Sequence, residues 1–312
     1  MQKQDIVFLA VCIGTMLMGV MLPSLAEPMA WVPRVTMMSL LFMGFLSVDG
    51  REVWQNLFHF PAVVVFLVCF KLVVMPVACW AVFRLVLPEF ALGALVIGGA
   101  STAVSAPFFA LMVQADFVLV LVGLVCSSLL LPLTLPLLVA ALHSLAPYEG
   151  SGAATLNLPV LAMMGNLAVT IVLPYVAAQT MRRCASRLTA TALRFRTPIF
   201  FACVGLGNVA IFSQYSSVLT GSPQYVFLAI FAAFALCGLL FVLTSALTAW
   251  MPMEKQLAVT ISCVAMNNIL ILILSVEFFS VTEALFAAMY TGPFCCSVVL
   301  FRLLRKFLQR RA

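Results

Sequence analysis

Charge is what this sequence has least of. Of its 312 residues, 16 are Lys or Arg and 10 are Asp or Glu, 8% together, where an ordinary soluble domain carries about 25%. So few charges cannot cover a globule of this size in water, which excludes a soluble enzyme. There are only two histidines, His59 and His143, and ten cysteines without C-x-x-C spacing, so a protein-built transition-metal site is not expected. Nine of the cysteines, Cys12, Cys69, Cys126, Cys203 and Cys237 among them, lie in apolar runs and Cys184 alone in a polar stretch. That is how small buried hydrophobes are placed, not a disulfide framework. A paired-Asp motif, an H-E-x-x-H helix and a G-x-S-x-G elbow are all missing. No catalytic residue is assigned, no cofactor is expected, and the chain reads as a non-enzyme.

What the sequence has in abundance is apolar residues, 65% of the chain. A bilayer-spanning helix needs about 20 of them in a row. The runs are long and unbroken, unlike the short alternating segments of a membrane β-barrel, so the expected class is an all-α polytopic membrane protein. Turn residues and charges cut the runs into ten segments, near 5–23, 33–48, 60–86, 89–113, 116–143, 156–180, 197–215, 224–250, 254–276 and 280–304. Connections read as short except for a basic loop over 181–196. The first segment, followed by Ser24-Leu25-Ala26, has an alternative reading as a cleaved signal peptide, which would leave nine spans.

Basic residues set the expected orientation, because cytoplasmic loops are rich in Lys and Arg. With ten spans, one side collects Lys3, Arg51, Arg182, Arg183, Arg187, Arg194, Arg196, Lys255, Arg302, Arg305, Lys306, Arg310 and Arg311, and the other only Arg34 and Arg84. Both termini are therefore expected in the cytoplasm, with the chain in a bacterial inner (plasma) membrane. This bias accounts for the net charge of +6 without nucleic acid, and membrane lipids are the expected surface partners.

Two spans carry matching interruptions. The fourth, introduced by Leu87-Pro88-Glu89, runs into Gly98-Gly99-Ala100-Ser101-Thr102-Ala103-Val104-Ser105-Ala106-Pro107; the ninth, introduced by Met251-Pro252-Met253-Glu254, runs into Ser262-Cys263-Val264-Ala265-Met266-Asn267-Asn268. Pro107 removes a backbone donor and clashes with the preceding turn. Freed backbone groups are tolerated at membrane depth only where they line a protein cavity. Corresponding breaks in two halves point to a transporter's binding site, whereas the break in the fourth span alone is read equally well as close helix packing through small residues. The duplication places the first five-helix repeat at 1–150 and a second, inverted one at 151–312.

These residues resemble the bile acid:sodium symporter family, within a superfamily that includes auxin efflux carriers and arsenite exporters. The likeness is clearest in Leu40-Leu41-Phe42-Met43-Gly44-Phe45, Phe60-Pro61-Ala62-Val63-Val64, Val74-Met75-Pro76-Val77-Ala78, Gly98-Gly99-Ala100-Ser101 and Pro132-Leu133-Thr134-Leu135-Pro136-Leu137. It implies ten helices in two inverted repeats, a panel domain of helices one, two, six and seven, and a core domain in which helices four and nine break and cross. Counted from Gln114-Ala115-Asp116, the family's Ser-Asn pair in helix four falls on Ala106 and Pro107, and its helix-five hydroxyls on Val120 and Leu124. The sodium-ligating Glu of helix nine falls on Cys263 and its amide partner on Asn267; the His-Asn pair of helix ten falls on Gly292 and Pro293. The Gln that helps the second sodium falls on Lys71. The resemblance is thus that of a divergent member lacking most sodium ligands.

Lys71 lies about eleven residues into the third span, near the bilayer midplane, with no Asp or Glu inside a neighbouring span. A lysine there costs about 2.5–3.5 kcal/mol on insertion scales and is a functional hypothesis by default. One reading puts its ammonium where the sodium is absent, donating to carbonyls of the broken helices and to Asn267, and exchanging a proton during the cycle. The other is a structural lysine holding two helices together. The expected function is a secondary active transporter of a small organic solute, an organic anion, by alternating access, proton-coupled rather than sodium-coupled. Lys71, Cys263 and Asn267 are assigned to coupling. Ser101, Thr102, Ser105, Pro107, Asn267 and Asn268 are assigned to the substrate. The alternatives are an exporter of the auxin-carrier or arsenite type, or a sodium-dependent bile-acid-like symporter. A homodimer is the expected assembly. Asn166, Asn208, Thr170, Ser127, Ser128 and Ser297 are polar span residues suited to a substrate path or to interhelical hydrogen bonds, and Asp116 to a helix end or gate.

Overall fold

A computed structural model describes residues 3–50, 55, 61–145, 159–221 and 223–310. His59, Arg51, Arg311 and the repeat boundary at 150/151 lie outside the described residues. Those described are helical with short connections, and they contain no strand beyond one isolated bridge between Thr102 and Met266. In chain order the helices are α1 (Lys3–Met21), α2 (Val32–Leu46), α3 (Pro61–Cys69), α4 (Met75–Val86), α5 (Ala91–Gly98), α6 (Ala106–Met112), α7 (Phe117–Leu145) and α8 (Val160–Cys184). There follow α9 (Ser186–Arg194), α10 (Arg196–Gln214), α11 (Ser216–Gly221), α12 (Pro223–Leu247), α13 (Met253–Val264), α14 (Asn268–Phe278), α15 (Val281–Met289) and α16 (Thr291–Gln309). A π turn over Phe70–Val74 joins α3 to α4.

Six helical stretches among the described residues are long and apolar enough to cross a membrane: Ala62–Val86, Phe117–Ser144, Val160–Cys184, Arg196–Gln214, Pro223–Leu247 and Val281–Gln309. Their outward faces are apolar, with Leu85 87%, Phe227 72%, Phe231 65% and Val169 61% exposed. Apolar surface this continuous is incompatible with water and is the lipid-facing surface of an integral membrane protein. Pro132 and Pro136 stand inside α7, and Pro174 inside α8, without ending either helix. Such prolines are tolerated where neighbouring helices and side chains take up the freed carbonyls.

The chain forms two compact units. The first contains residues 1–49 and 170–228. In it α1 packs on α10 at Gly19, where a side-chain carbon would stand 2.8 Å from the Phe212 Cβ and 2.8 Å from the Val209 carbonyl. Only a residue without one permits that approach. The Asn208 amide donates to the Thr15 hydroxyl at 3.3 Å, and the Ser216 hydroxyl to the Val20 carbonyl at 2.6 Å. The Arg182 guanidinium closes the end of α2, donating to the Leu46 carbonyl and to the Asp49 carboxylate, each at 3.1 Å. The polar stretch 181–196 is not a loop. It completes α8, forms α9 and begins α10, with single-residue breaks at Ala185 and Phe195.

The second unit contains residues 50–169 and 229–312. It holds both interrupted helices, α5/α6 and α13/α14. Its other connections are tightly capped. The Asp116 carboxylate accepts from the Leu119 amide at 3.0 Å at the start of α7, so this residue is a helix cap. Ser280 and Glu283 form a reciprocal capping box at the start of α15. Of the ten cysteines, all free, Cys12, Cys79, Cys237 and Cys263 are buried, while Cys69 and Cys296 lie on exposed helix faces. In a membrane protein an apolar stretch also faces lipid, so position in such a run does not by itself imply burial.

Candidate functional site

The site grows from two places where a helix stops short. The α5 helix ends at Gly98 and the chain restarts as α6 at Ala106; α13 ends at Val264 and restarts as α14 at Asn268. Helices of 8 and 7 residues span only about 10–12 Å each, so each stops well inside a hydrocarbon core of about 30 Å. Pro107 sits in the first turn of α6, where its missing N–H is no loss. It shapes the restart rather than the stop. The two links run antiparallel and pair. The Ala103 amide donates to the Ala265 carbonyl at 2.8 Å, and the Asn267 amide to the Ser101 carbonyl at 2.9 Å, with Thr102 opposite Met266. This two-bond ladder satisfies backbone groups that lipid could not.

Side chains lock the ladder. The Thr102 hydroxyl donates to the Ser262 carbonyl at 3.1 Å, and its amide donates to the Ser127 hydroxyl, also at 3.1 Å. Thr102, Ser127 and Ser262 are all buried, so the bonds tie both links to α7. Gly123 makes the approach of α7 feasible, since a carbon there would meet Leu67 Cδ2 at 2.8 Å and Ser262 Oγ at 3.4 Å. The Tyr290 hydroxyl donates to the Val264 carbonyl at 3.0 Å, closing the end of α13. Asn267 caps α14 through its side-chain oxygen, which accepts from the Leu270 amide at 3.5 Å. Asn268 is hydrogen-bonded to Thr291 and so ties α14 to α16.

Lys71 is held in the π turn, where the Met75 amide bonds to the Phe70 carbonyl five residues back. Pro76 follows directly. It has no N–H, and in a regular helix its ring would strike the Leu72 carbonyl; the wider turn relieves that clash. Such π turns recur at functional sites. The Lys71 side chain is 1% exposed, and its Nζ has no hydrogen-bond partner in the structure. The group that interacts with it electrostatically is the thiol of Cys263, itself completely buried on α13. At the paired links Ser101 Oγ, Ser262 Oγ and Asn267 Nδ2 also have no partner, as do Ser128 Oγ, Trp80 Nε1, Ser245 Oγ, Ser275 Oγ and Arg305 Nε elsewhere in the same unit. Buried polar groups are nearly always paired, so three such atoms at the paired links leave hydrogen-bonding capacity there that the protein itself does not use.

The sequence-assigned residues therefore fall into three groups. Ser101, Thr102 and Asn267 meet at the paired links, with Cys263 one turn back on α13, within electrostatic range of Lys71. Ser105 and Pro107 lie at the half-buried start of α6. Asn268 has its side chain engaged with α16. The positions Ala106, Val120 and Leu124, all buried, place no side-chain oxygen at the crossing. Sequence reasoning missed Tyr290, the pairing of the links and the π turn. The one available signal for the turn was Pro76, five residues after Lys71. No curated protein matches the chain. The family of sodium bile acid symporters does match, over residues 34–222, a stretch that includes the π turn with Lys71 and the first interrupted helix. On that match the chain belongs to the sodium bile acid symporter family.

Proposed function

We propose that this membrane transporter moves a small organic anion by alternating access, without sodium coupling, and that Lys71 supplies the positive charge of its binding region. Members of the family are transporters rather than enzymes, and the finer reading rests on one observation. The Lys71 ammonium is buried to 1% exposure with no hydrogen-bond partner. An ammonium held in low dielectric without a counter-charge is strongly disfavoured. A substrate carboxylate bound at the crossing supplies that counter-charge, so anion binding relieves a penalty already present in the empty protein. The unpartnered donors Ser101 Oγ, Ser262 Oγ and Asn267 Nδ2 supply hydrogen bonds to the same group.

Sodium sites in such folds use oxygen ligands, many from unwound segments. At the positions where the family's ligands fall, Ala106, Pro107, Val120, Leu124 and Cys263 offer no side-chain oxygen, and Lys71 brings a like charge. Lys71 is the coupling group in this reading, with Cys263 and Asn267 assigned to the same role, exchanging a proton where relatives exchange sodium.

The same reading places ten spans in two inverted five-helix repeats, 1–150 and 151–312, with both termini and the arginine-rich connection at 181–196 on the cytoplasmic side of a bacterial inner membrane. The breaks at α5/α6 and α13/α14 occupy corresponding places in the two repeats and support it. The compact unit of 1–49 and 170–228 supports a panel built from spans one, two, six and seven. The test is uptake of short monocarboxylates into proteoliposomes under imposed sodium, proton and potential gradients. Uptake is expected to follow the proton gradient and potential and to ignore sodium; stimulation by sodium would refute the ligand argument.

A further inference from the structure

The helix α9, Ser186–Arg194, is joined to membrane-spanning α8 and α10 by one residue at each end, so it is held at the level where those spans leave the bilayer. Its orientation is fixed. The Thr189 hydroxyl is buried against the end of α8, donating to the Met181 carbonyl at 3.3 Å and the Ala185 carbonyl at 3.1 Å. At about 100° per residue, positions seven apart share a stripe. Arg187 and Arg194 form one stripe, and Leu188 and Phe195 form the stripe beside it.

Both stripes face outward. Leu188 is 62% and Phe195 52% exposed, and Arg183, Arg187, Arg194 and Arg196 are all exposed. None of these four arginines forms an ion pair among the described residues, whereas Arg182 is engaged with Asp49. Nor does the neighbouring chain neutralise them, because no Asp or Glu occurs between Glu149 and Glu254. A basic stripe beside an apolar stripe, on a short helix tethered at the bilayer surface, has the build of a helix lying in the interface.

We propose that α9 is a binding site for anionic phospholipid. The guanidinium groups of Arg183, Arg187, Arg194 and Arg196 pair with a headgroup that carries net negative charge, and Leu188 and Phe195 enter the acyl boundary beneath it. The occupant is a lipid rather than free phosphate because the charged stripe has an apolar neighbour that an inorganic ion leaves exposed. This site is independent of Lys71 and of what the protein transports.

The test is native mass spectrometry of the full-length protein in detergent with equal amounts of POPG and POPC, reading the ratio of retained lipids. Wild type is expected to retain POPG preferentially. Arg187→Gln and Arg194→Gln are each expected to lower the POPG:POPC ratio about fivefold, the equivalent of about 1 kcal/mol per basic residue at an anionic surface, and Arg187→Lys to preserve it. Leu188→Ser is expected to reduce retention of both lipids. The pair Lys306→Gln/Arg310→Gln, in the last turn of α16 and just past its end, removes two charges, one more than either α9 variant, from another exposed basic segment and should leave the ratio nearly unchanged. An unaltered ratio in the α9 variants, an equal loss in the α16 pair, or displacement of POPG by millimolar inorganic phosphate would each overturn the proposal.

Discussion

Replacing Lys71 with Met separates a functional lysine from a structural one, because the two roles predict opposite signs for stability. Met matches the length of the aliphatic stem and brings no charge. The structure gives Lys71 Nζ no hydrogen bond, so the substitution breaks none. What it removes is the penalty for an ammonium at the membrane centre, about 2.5–3.5 kcal/mol on insertion scales. The side chain is 1% exposed, so snorkelling to the interface does not already relieve that penalty. At about 2–4 °C per kcal/mol for larger domains, K71M should raise the midpoint of thermal unfolding in detergent by roughly 5–14 °C while abolishing proton-driven anion uptake. The midpoint can be followed by labelling the thiols buried in the fold, Cys12, Cys79, Cys237 and Cys263, as they become reactive on unfolding. A lysine that braces two helices would give the reverse, with lower stability and residual transport. A fall in the midpoint with uptake intact would refute the reasoning.

Three more substitutions probe the frame around the site. Thr102→Val keeps the shape of a buried side chain but deletes its bond to the Ser262 carbonyl; it should cost about 0.6–1.7 kcal/mol, with a non-additive effect when combined with Ser127→Ala in a double-mutant cycle. Gly19→Ala drives a methyl to 2.8 Å from the Val209 carbonyl and should destabilise by about 1–3 kcal/mol, read as a lower unfolding midpoint; an unchanged midpoint would show that α1 and α10 separate easily. Ser280→Ala removes one half of the α15 capping box and should cost about 0.5–2 kcal/mol, with transport by the folded fraction unaffected.

The membrane class, the long spans and both helix breaks were legible in the sequence because each depends on local chemistry. Charge scarcity and run length dictate helices in lipid, small polar residues mark where a helix stops, and Pro107 and Asn267 mark where it restarts. Lys71 stood out for the same reason, as the one basic residue that no loop could claim. Long-range pairing leaves no such trace. Nothing in Gly98–Pro107 or Ser262–Asn268 announces that Thr102 lies opposite Met266, or that Ser127 and Tyr290 close the ladder from α7 and the end of α15. These contacts join residues more than twenty positions apart and depend on how helices pack. The stretch 181–196 shows the limit most plainly. Its five arginines read as a solvated loop, since composition reports charge but not direction. Only the tertiary structure decided that they ride on a helix, because Thr189 anchored to the end of α8 fixes which stripe faces outward. So the sequence by itself settled that this protein lives in a membrane and where its helices fail. Family resemblance implied that the two failures cross; packing decided how they bond, because backbone groups stranded in lipid have each other to pair with, and it decided that Lys71 is buried with an ammonium that no protein group satisfies.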